Sequence, residues 1–426
     1  MGVSKGVFYT LTPKEVLCRG VKYSSLVDLK KHKVYHLNET ASEILNLLER
    51  GRGIGEVARE MKRDLEEEEI QEFLEELVNR RLLKTSTRPI RKRSHRPRPP
   101  KLDFIWCEVT ARCNLKCVHC YAKTHNSEIK QEDPSTQFLK RVMEEAAQEG
   151  CRRIQLTGGE AFLRKDIMEL VDYAKECKFD EIEIFTNGTL LREPMVRFLS
   201  ERSVSVAVSL YSYLEGTHDS ITGVPGSHSK TLKGLKMLLD YGIKTRCSLI
   251  AMRQNEEEIE RTSDILSAIG LNARTPDPVR PVGGGKEGGY WPKKYSRRVL
   301  IEEPPCEFDE EMYRTNKAWN DCWFGKAAVT SSGDVIPCVF AREQVAGNLL
   351  KEPLKDIIHG RMLEYWGLNA DKIEVCQGCE FRYICHDCRP WSYGLTGNLL
   401  AKNPKCTYIP ETGKWGGDCK LLQYVC

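Results

Sequence analysis

Eighteen cysteines, unevenly spread along 426 residues, constrain this chain more than any other feature. Three fall within residues 113–120 and ten lie from Cys306 onward, while Cys18, Cys107, Cys151, Cys177 and Cys247 stand singly. The N-terminus, MGVSKGVFYTLTPKEVL, offers neither an apolar signal core nor a small-residue cleavage site, so the expected compartment is the cytoplasm. Disulfides are rare there, and clustered cysteines point to metal or catalysis. The five single cysteines are expected to be ordinary small core residues.

Hydrophobic content of 40% and charged content of 30% are those of a globular protein, and no apolar run is long enough for a membrane span. The net charge of +4 is misleading as a sum. Arg88, Arg91, Lys92, Arg93, Arg96, Arg98 and Lys101 form a basic stretch without an acid; setting those seven aside leaves −3 for the remainder. The body of the chain therefore lacks the charge of a nucleic-acid-binding surface. Four prolines in the same stretch bar helix and central strand, so residues 86–101 read as a solvated linker.

Before the linker, residues 1–85 read as an α+β module. VFYTL and the strand–turn–strand pattern SSLVDLKKHKVYHLN are followed by a helix capped by Asn38 and closed by Gly51, then by GIGEVAREMKRD. A third helix carries Ile70, Phe73, Leu74, Leu77 and Leu82 or Leu83 as a core stripe. A strand pair with three helices is a winged-helix outline. From 102 to 300, FIWCEVT, RIQLTG, EIEIFTNG, VSVAVSLY and TRCSLIA alternate with helical patterns, which predicts an α/β parallel sheet of partial or full (β/α) barrel type. Residues 301–426 are loop-rich and cysteine-rich, and are expected to fold around metal. PVGGGKEGG at 281–289 has no following helix or Lys-Ser/Thr pair and reads as a flexible loop.

The chemistry concentrates in Cys113-Asn-Leu-Lys-Cys117-Val-His-Cys120, directly after the first barrel strand. Three thiolates can hold three irons of a cubane and leave the fourth open to a ligand. A structural zinc site asks for four protein ligands, and only a crowded His119 is nearby. This CxxxCxxC spacing resembles the radical S-adenosylmethionine (SAM) superfamily, whose fold is a partial (β/α)6 barrel. The resemblance implies a [4Fe-4S] cluster on Cys113, Cys117 and Cys120 that binds SAM and cleaves it reductively to a 5′-deoxyadenosyl radical. It also implies adenine packing at His119. QLTGGEAFL extends the resemblance: Gly158 and Gly159 permit close backbone approach, and the family's use of Gly158, Gly159 and Glu160 is to bind the SAM ammonium. FTNGTLL and VSLYSYLEGTHDSITG are similar to the family too, with Asn187 and Ser209 implied near the SAM methionine or ribose.

The later cysteines run Cys322-x10-Gly333-x4-Cys338, then Cys376-x2-Cys379-x5-Cys385-x2-Cys388, then Cys406. This series resembles the SPASM extension, which carries two auxiliary [4Fe-4S] clusters. The Cys385–Cys388 gap of two residues departs from the usual three. The resemblance implies Cys376, Cys379, Cys385 and Cys406 on one cluster. Cys322, Cys338 and Cys388 would hold the other, with Cys306 as candidate fourth ligand or an open iron in its place. Cys419 and Cys426 fall outside the pattern. In this context the N-terminal module resembles the recognition element that binds a precursor's leader peptide as an added strand.

The implied function is maturation of a ribosomally made peptide. Hydrogen abstraction from the precursor would form a thioether, carbon–carbon or ether crosslink, with a reductase, ferredoxin or flavodoxin as electron donor. Two rival functions fit the sequence less well. A sulfatase maturase, making formylglycine, would place Asp after the Gly-x4-Cys cysteine, where this chain has Val339. A zinc-containing winged-helix regulator would leave Cys113–Cys120, Gly158–Glu160 and the strand–helix alternation without a purpose.

Overall fold

The protein is described here as a computed structural model covering residues 7–61, 65–87, 99–123, 132–273 and 276–416. Most of the basic linker, Arg88 to Arg98, and both Cys419 and Cys426 lie outside the described residues. The N-terminal module comprises β1 (Phe8–Leu11), β2 (Glu15–Arg19), β3 (Ser24–Asp28), β4 (Lys33–Leu37), α1 (Glu39–Glu49), α2 (Ile54–Glu60), α3 (Glu67–Asn79) and β5 (Leu83–Ser86). Asn38 caps α1 by accepting the Ala41 N–H at 2.8 Å, and Gly51 follows the helix at φ +82°. β2, β3 and β4 form an antiparallel sheet, and β1 pairs with β5. The expected strand pair is thus a larger set. Arg81 turns left-handed at φ +61° after α3, so buried Leu82 lies past the helix and Leu83 opens β5.

Both faces of the three-stranded sheet are covered. Leu26 and Leu37 pack with Ile44, Leu45, Ile70 and Leu74 of the helices. On the opposite face Val27 meets Phe308, Tyr313, Phe381, Ile384 and Tyr408 from the last third of the chain. All five residues of β3 are accordingly buried.

The main sheet follows the predicted alternation: β6 (Phe104–Thr110), α4 (Thr136–Gln148), β7 (Arg153–Gly158), α5 (Ile167–Glu176), β8 (Glu181–Thr186), α6 (Glu193–Glu201), β9 (Ser205–Ser209), α7 (Glu215–Thr222), α8 (Ser227–Asp240), β10 (Thr245–Ser248), β11 (Ile250–Ala251), α9 (Ile259–Ala268), β12 (Asn272–Ala273) and β13 (Asp277–Pro278). β6 to β10 lie side by side and parallel, with β12 beyond β10. After α10 (Lys293–Arg298) and α11 (Glu310–Asn316), β14 (Lys326–Val329) pairs parallel with β6 on its other side. β15 (Asp334–Ile336) and β16 (Gly347–Asn348) extend the sheet antiparallel to nine strands. α12 (Leu354–His359), α13 (Arg361–Trp366) and α14 (Arg389–Thr396) follow. Ala327, Val329, Val335, Ile358 and Trp366 join the core of the parallel sheet, so the last third shares that core as well as carrying loops. Its strands are two to four residues long, too short to display a period.

Alternation decides what each face of the parallel sheet does. Ile105, Cys107, Val109, Ile154, Leu156, Ile182, Ile184, Val206 and Val208 form the apolar outer face under the helices. Glu108, Gln155, Thr157, Glu183, Ser209 and Arg246 occupy the alternate positions and line the inner face. There Arg246 donates twice to Glu183, at 2.8 Å each, and Gln155 donates to the same carboxylate. Among the described residues no helix is long and apolar enough to cross a membrane.

Candidate functional site

The Cys113–Cys120 loop leaves the C-terminal end of β6 and is fastened on three sides. Lys116 and Val118 donate main-chain N–H groups to Thr222 and Ile221 at 2.8 and 3.0 Å. Asn114 donates to Thr189 at 2.8 Å and accepts from Asn187 at 2.9 Å, which ties the loop to the end of β8. Gly284 donates to the Cys120 carbonyl at 3.0 Å. The Gly-rich segment is therefore not a free loop. A Cβ on Gly283 would lie 2.3 Å from the Tyr121 carbonyl, and one on Gly284 2.3 Å from that of Val118. Glycine here serves close packing, a role that its run of neighbouring glycines disguised in the sequence.

Burial pushes the Cys113 thiol up to about 11, with Cys120 among its neighbours. Burial raises Cys117 further, helped by the charges of Cys113 and Cys120, so the three sulfurs are mutual neighbours. Thiols held this way stay protonated unless a cation compensates them. Burial lowers His119 to about 4, which makes it a neutral ring; its Nδ1 has no hydrogen-bond partner, and Tyr211 packs edge-on at 4.7 Å. Ser209, almost wholly buried, lies beside Tyr211.

Gly158 and Gly159 run against the start of the cysteine loop. Gly159 donates to the Thr110 carbonyl at 2.9 Å and Glu160 to that of Arg112 at 2.8 Å. A Cβ on either glycine would fall 2.2 Å or less from those carbonyl oxygens. The Glu160 carboxylate is fully buried and accepts from Phe162 N–H at 3.0 Å, Thr186 hydroxyl at 2.7 Å and Asn187 N–H at 2.7 Å. Burial raises its pKa against those three bonds. Glu160 thus ties the ends of β7 and β8 together.

The later cysteines form two neighbourhoods. Cys376 feels Cys406, Cys379 feels Cys376 and Cys406, and Cys385 feels all three, each thiol being raised first by burial. Cys322 and Cys388 are neighbours whose interaction raises the first thiol and lowers the second, and Cys338 lies beside Cys388. Arg280 also favours the Cys388 thiolate. Cys306 differs in being exposed; it shares the wall of a cavity of about 650 Å³ with Cys385, Cys388, Arg280 and Lys405. Among the described residues no three His, Cys, Asp or Glu side chains close around a single ion. The donor sets of three and four sulfurs suit the wider frame of a cubane.

Sequence reasoning missed one inward-facing pair. Glu108, 3% exposed on β6, is bonded to Arg342, four residues after Cys338. Tyr121, next to Cys120, packs edge-on against Phe340 at 5.2 Å beside it. The pair joins β6 to the Cys338 loop across 234 residues, so no local signal could have announced it. Replacing Arg342 by Leu strands a buried carboxylate, and a loss of about 3–5 kcal/mol in unfolding free energy is expected. Adding Glu108→Gln should recover most of it in denaturant titration; an unaltered midpoint in the single variant would refute the pairing.

Three family models match the chain: the radical SAM superfamily over residues 107–266, coenzyme PQQ synthesis protein D (PqqD) over 24–83, and an iron–sulfur cluster-binding domain, SPASM, over 322–380. An AdoMet-dependent heme synthase of Methanosarcina barkeri is 28% identical, with 73% of this chain and 97% of that protein covered. The antilisterial bacteriocin subtilosin biosynthesis protein AlbA of Bacillus subtilis is 28% identical over 71% of this chain and 70% of its own length. A GTP 3′,8-cyclase of Clostridium perfringens is 30% identical over 62% and 90%. Among solved structures, Streptococcus suis SuiB bound to precursor peptide SuiA shares the fold, at TM-score 0.55 and 16% identity over 93% of this chain and 99% of that one. The chain belongs to the radical SAM superfamily and is an enzyme in which a PqqD-type module precedes, and an iron–sulfur cluster-binding domain follows, the radical SAM fold.

Proposed function

We propose that this enzyme modifies a ribosomally made precursor peptide, forming a thioether, carbon–carbon or ether crosslink. The observation that carries the reading is the PqqD-type module, with the outer edge of β4 unpaired among the described residues, joined to a chain with three cysteine neighbourhoods. The leader adds to the β4 edge beside α3 as a further strand. The similarity to AlbA, named for bacteriocin biosynthesis, and the fold shared with SuiB support a peptide substrate. The heme synthase relative supports a second reading, a tetrapyrrole substrate, which the same assay separates.

Each region has its task. Residues 1–85 recognise, 86–101 link, 102–300 hold SAM, and 301–426 hold the auxiliary clusters. Cys113, Cys117 and Cys120 ligate the SAM-binding [4Fe-4S] cluster. Gly158, Gly159 and Glu160 offer the ammonium a close backbone edge, His119 a neutral ring to the adenine, and Asn187 and Ser209 polar contacts to the methionine or ribose. Cys376, Cys379, Cys385 and Cys406 ligate one auxiliary cluster, and Cys322, Cys338 and Cys388 the other, with exposed Cys306 as candidate fourth ligand. Bound SAM and clusters supply hydrogen-atom abstraction from the peptide and an acceptor for the second electron, with a ferredoxin- or flavodoxin-type protein as reductant. Among inward-facing groups, Glu160 and Glu183 are locked by three hydrogen bonds each, so these carboxylates orient the wall and do not exchange protons with substrate.

Anaerobic reconstitution should give about twelve irons per chain from three cubanes. With SAM and dithionite it should release 5′-deoxyadenosine, and a small peptide encoded beside the gene should lose two hydrogen atoms by mass. Release of deoxyadenosine with conversion of a tetrapyrrole and no change in any peptide would overturn the peptide reading. Zinc without iron or SAM cleavage would overturn the enzyme mechanism.

A further inference from the structure

We infer that Glu380 is a positioning residue through which filling of the Cys376, Cys379, Cys385 and Cys406 site forms the sheet that recognises peptide. The inference rests on the proposed roles of those cysteines and of β4.

Glu380 directly follows Cys379 and is fully buried. Its Oε1 lies 2.7 Å from His36 Nε2 on β4 and accepts the Tyr408 hydroxyl. Its main-chain carbonyl accepts the Ser25 hydroxyl of β3 at 2.6 Å. Just past β2, Val21 donates to the Gly378 carbonyl at 2.7 Å, and the Arg382 guanidinium bonds the Arg19 carbonyl. The approach is close enough that a Cβ on Gly20 would lie 2.7 Å from Glu380 Oε2 and 2.8 Å from the Gly378 oxygen. All three strands of the recognition sheet are therefore bonded to residues 378–382, between two ligands of one proposed cluster.

The cysteine segment has little regular structure to hold it. Only a three-residue turn spans Cys376–Gly378, and Val375 before it sits at φ +65°, a conformation that a β-branched residue adopts only when its surroundings enforce it. Order in such a segment comes from its ligands, because metal binding free energy is folding free energy. Fixing Cys379 and Cys385 fixes Glu380, which then fixes His36 and Ser25. Coupling of this kind is reciprocal: a strand added to β4 favours the loaded cluster site, and a loaded site favours the strand. An unloaded enzyme would then decline its precursor.

Hydrogen exchange on apo and reconstituted full-length protein tests this without any peptide. Amides of residues 24–37 should exchange about tenfold or more slowly after loading, while those of β6–β9 change little. Glu380→Ala should abolish that difference and alter the EPR spectrum of the reduced protein; Glu380→Gln, which keeps an acceptor for His36 and Tyr408, should restore both. Equal protection of residues 24–37 in apo and loaded wild type, with iron present, would overturn the coupling alone. Unchanged iron content in a Cys376→Ala, Cys379→Ala double variant would overturn the cluster assignment and the coupling with it.

Discussion

Replacing Cys113 by Ala is expected to abolish 5′-deoxyadenosine formation while the auxiliary sites still load. Iron should fall by about four per chain, the content of one cubane. The effect is large because the loop has no substitute ligand: Cys113, Cys117 and Cys120 are mutual neighbours, and His119 is a neutral ring turned toward Tyr211. Cys177→Ala, at the end of α5 and away from all three cysteine neighbourhoods, is the control and should leave SAM cleavage intact. Deoxyadenosine release by the Cys113 variant at the wild-type rate would refute the assignment of this loop. Loss of all iron would show instead that the three sites load as one.

Gly158→Ala should be nearly as damaging for a different reason. Gly158 sits at φ +140°, and its added Cβ would lie 2.2 Å from the Thr110 carbonyl and 3.1 Å from the Thr110 nitrogen. Neither contact is the end of a flexible side chain, so the backbone of β6 must move. Backbone strain and overpacking together imply a loss of about 3 kcal/mol or more. Thr110 receives Arg112 N–H on its hydroxyl and stands three residues before Cys113, so displacement should also reduce SAM binding. Gly216→Ala, in α7 with no atom within 4 Å of the new Cβ, should instead be neutral or stabilising by up to about 1 kcal/mol. Similar melting of the two variants would contradict this account.

The parallel strands were legible because short β-forming runs recur between helical patterns, with apolar residues such as Ile105, Cys107, Val109, Ile154 and Leu156 at alternate outer positions. FIWCEVT and RIQLTG coincide with β6 and β7. The helix α7 escaped because Glu215–Thr222 buries only His218, Ile221 and Thr222, leaving no stripe to read. β5 was masked by the continuing leucines of α3, and β14 by its four-residue length. Of the candidate site, the cysteine spacings and the paired glycines announced themselves, since such chemistry demands fixed residue types at fixed separations. Glu108 with Arg342, and Glu380 with His36, did not: each joins residues more than 200 positions apart, and each carboxylate looks like a surface residue until the fold buries it.

The division of labour between the two faces of the parallel sheet bears on how such an enzyme can change over evolutionary time. The outer face, from Ile105 to Val208, packs under the helices and supplies the burial that keeps the fold. The inner face, which carries Glu108, Gln155, Thr157, Glu183, Ser209 and Arg246 beside Phe104, Trp106 and Phe185, contributes less to that packing. Substitutions along the inner wall that keep the Glu108–Arg342 and Glu183–Arg246 pairs can therefore accumulate and reshape what the vessel accepts, while the shell under the helices stays the same. A scaffold built this way can exchange one substrate for another without passing through an unfolded ancestor.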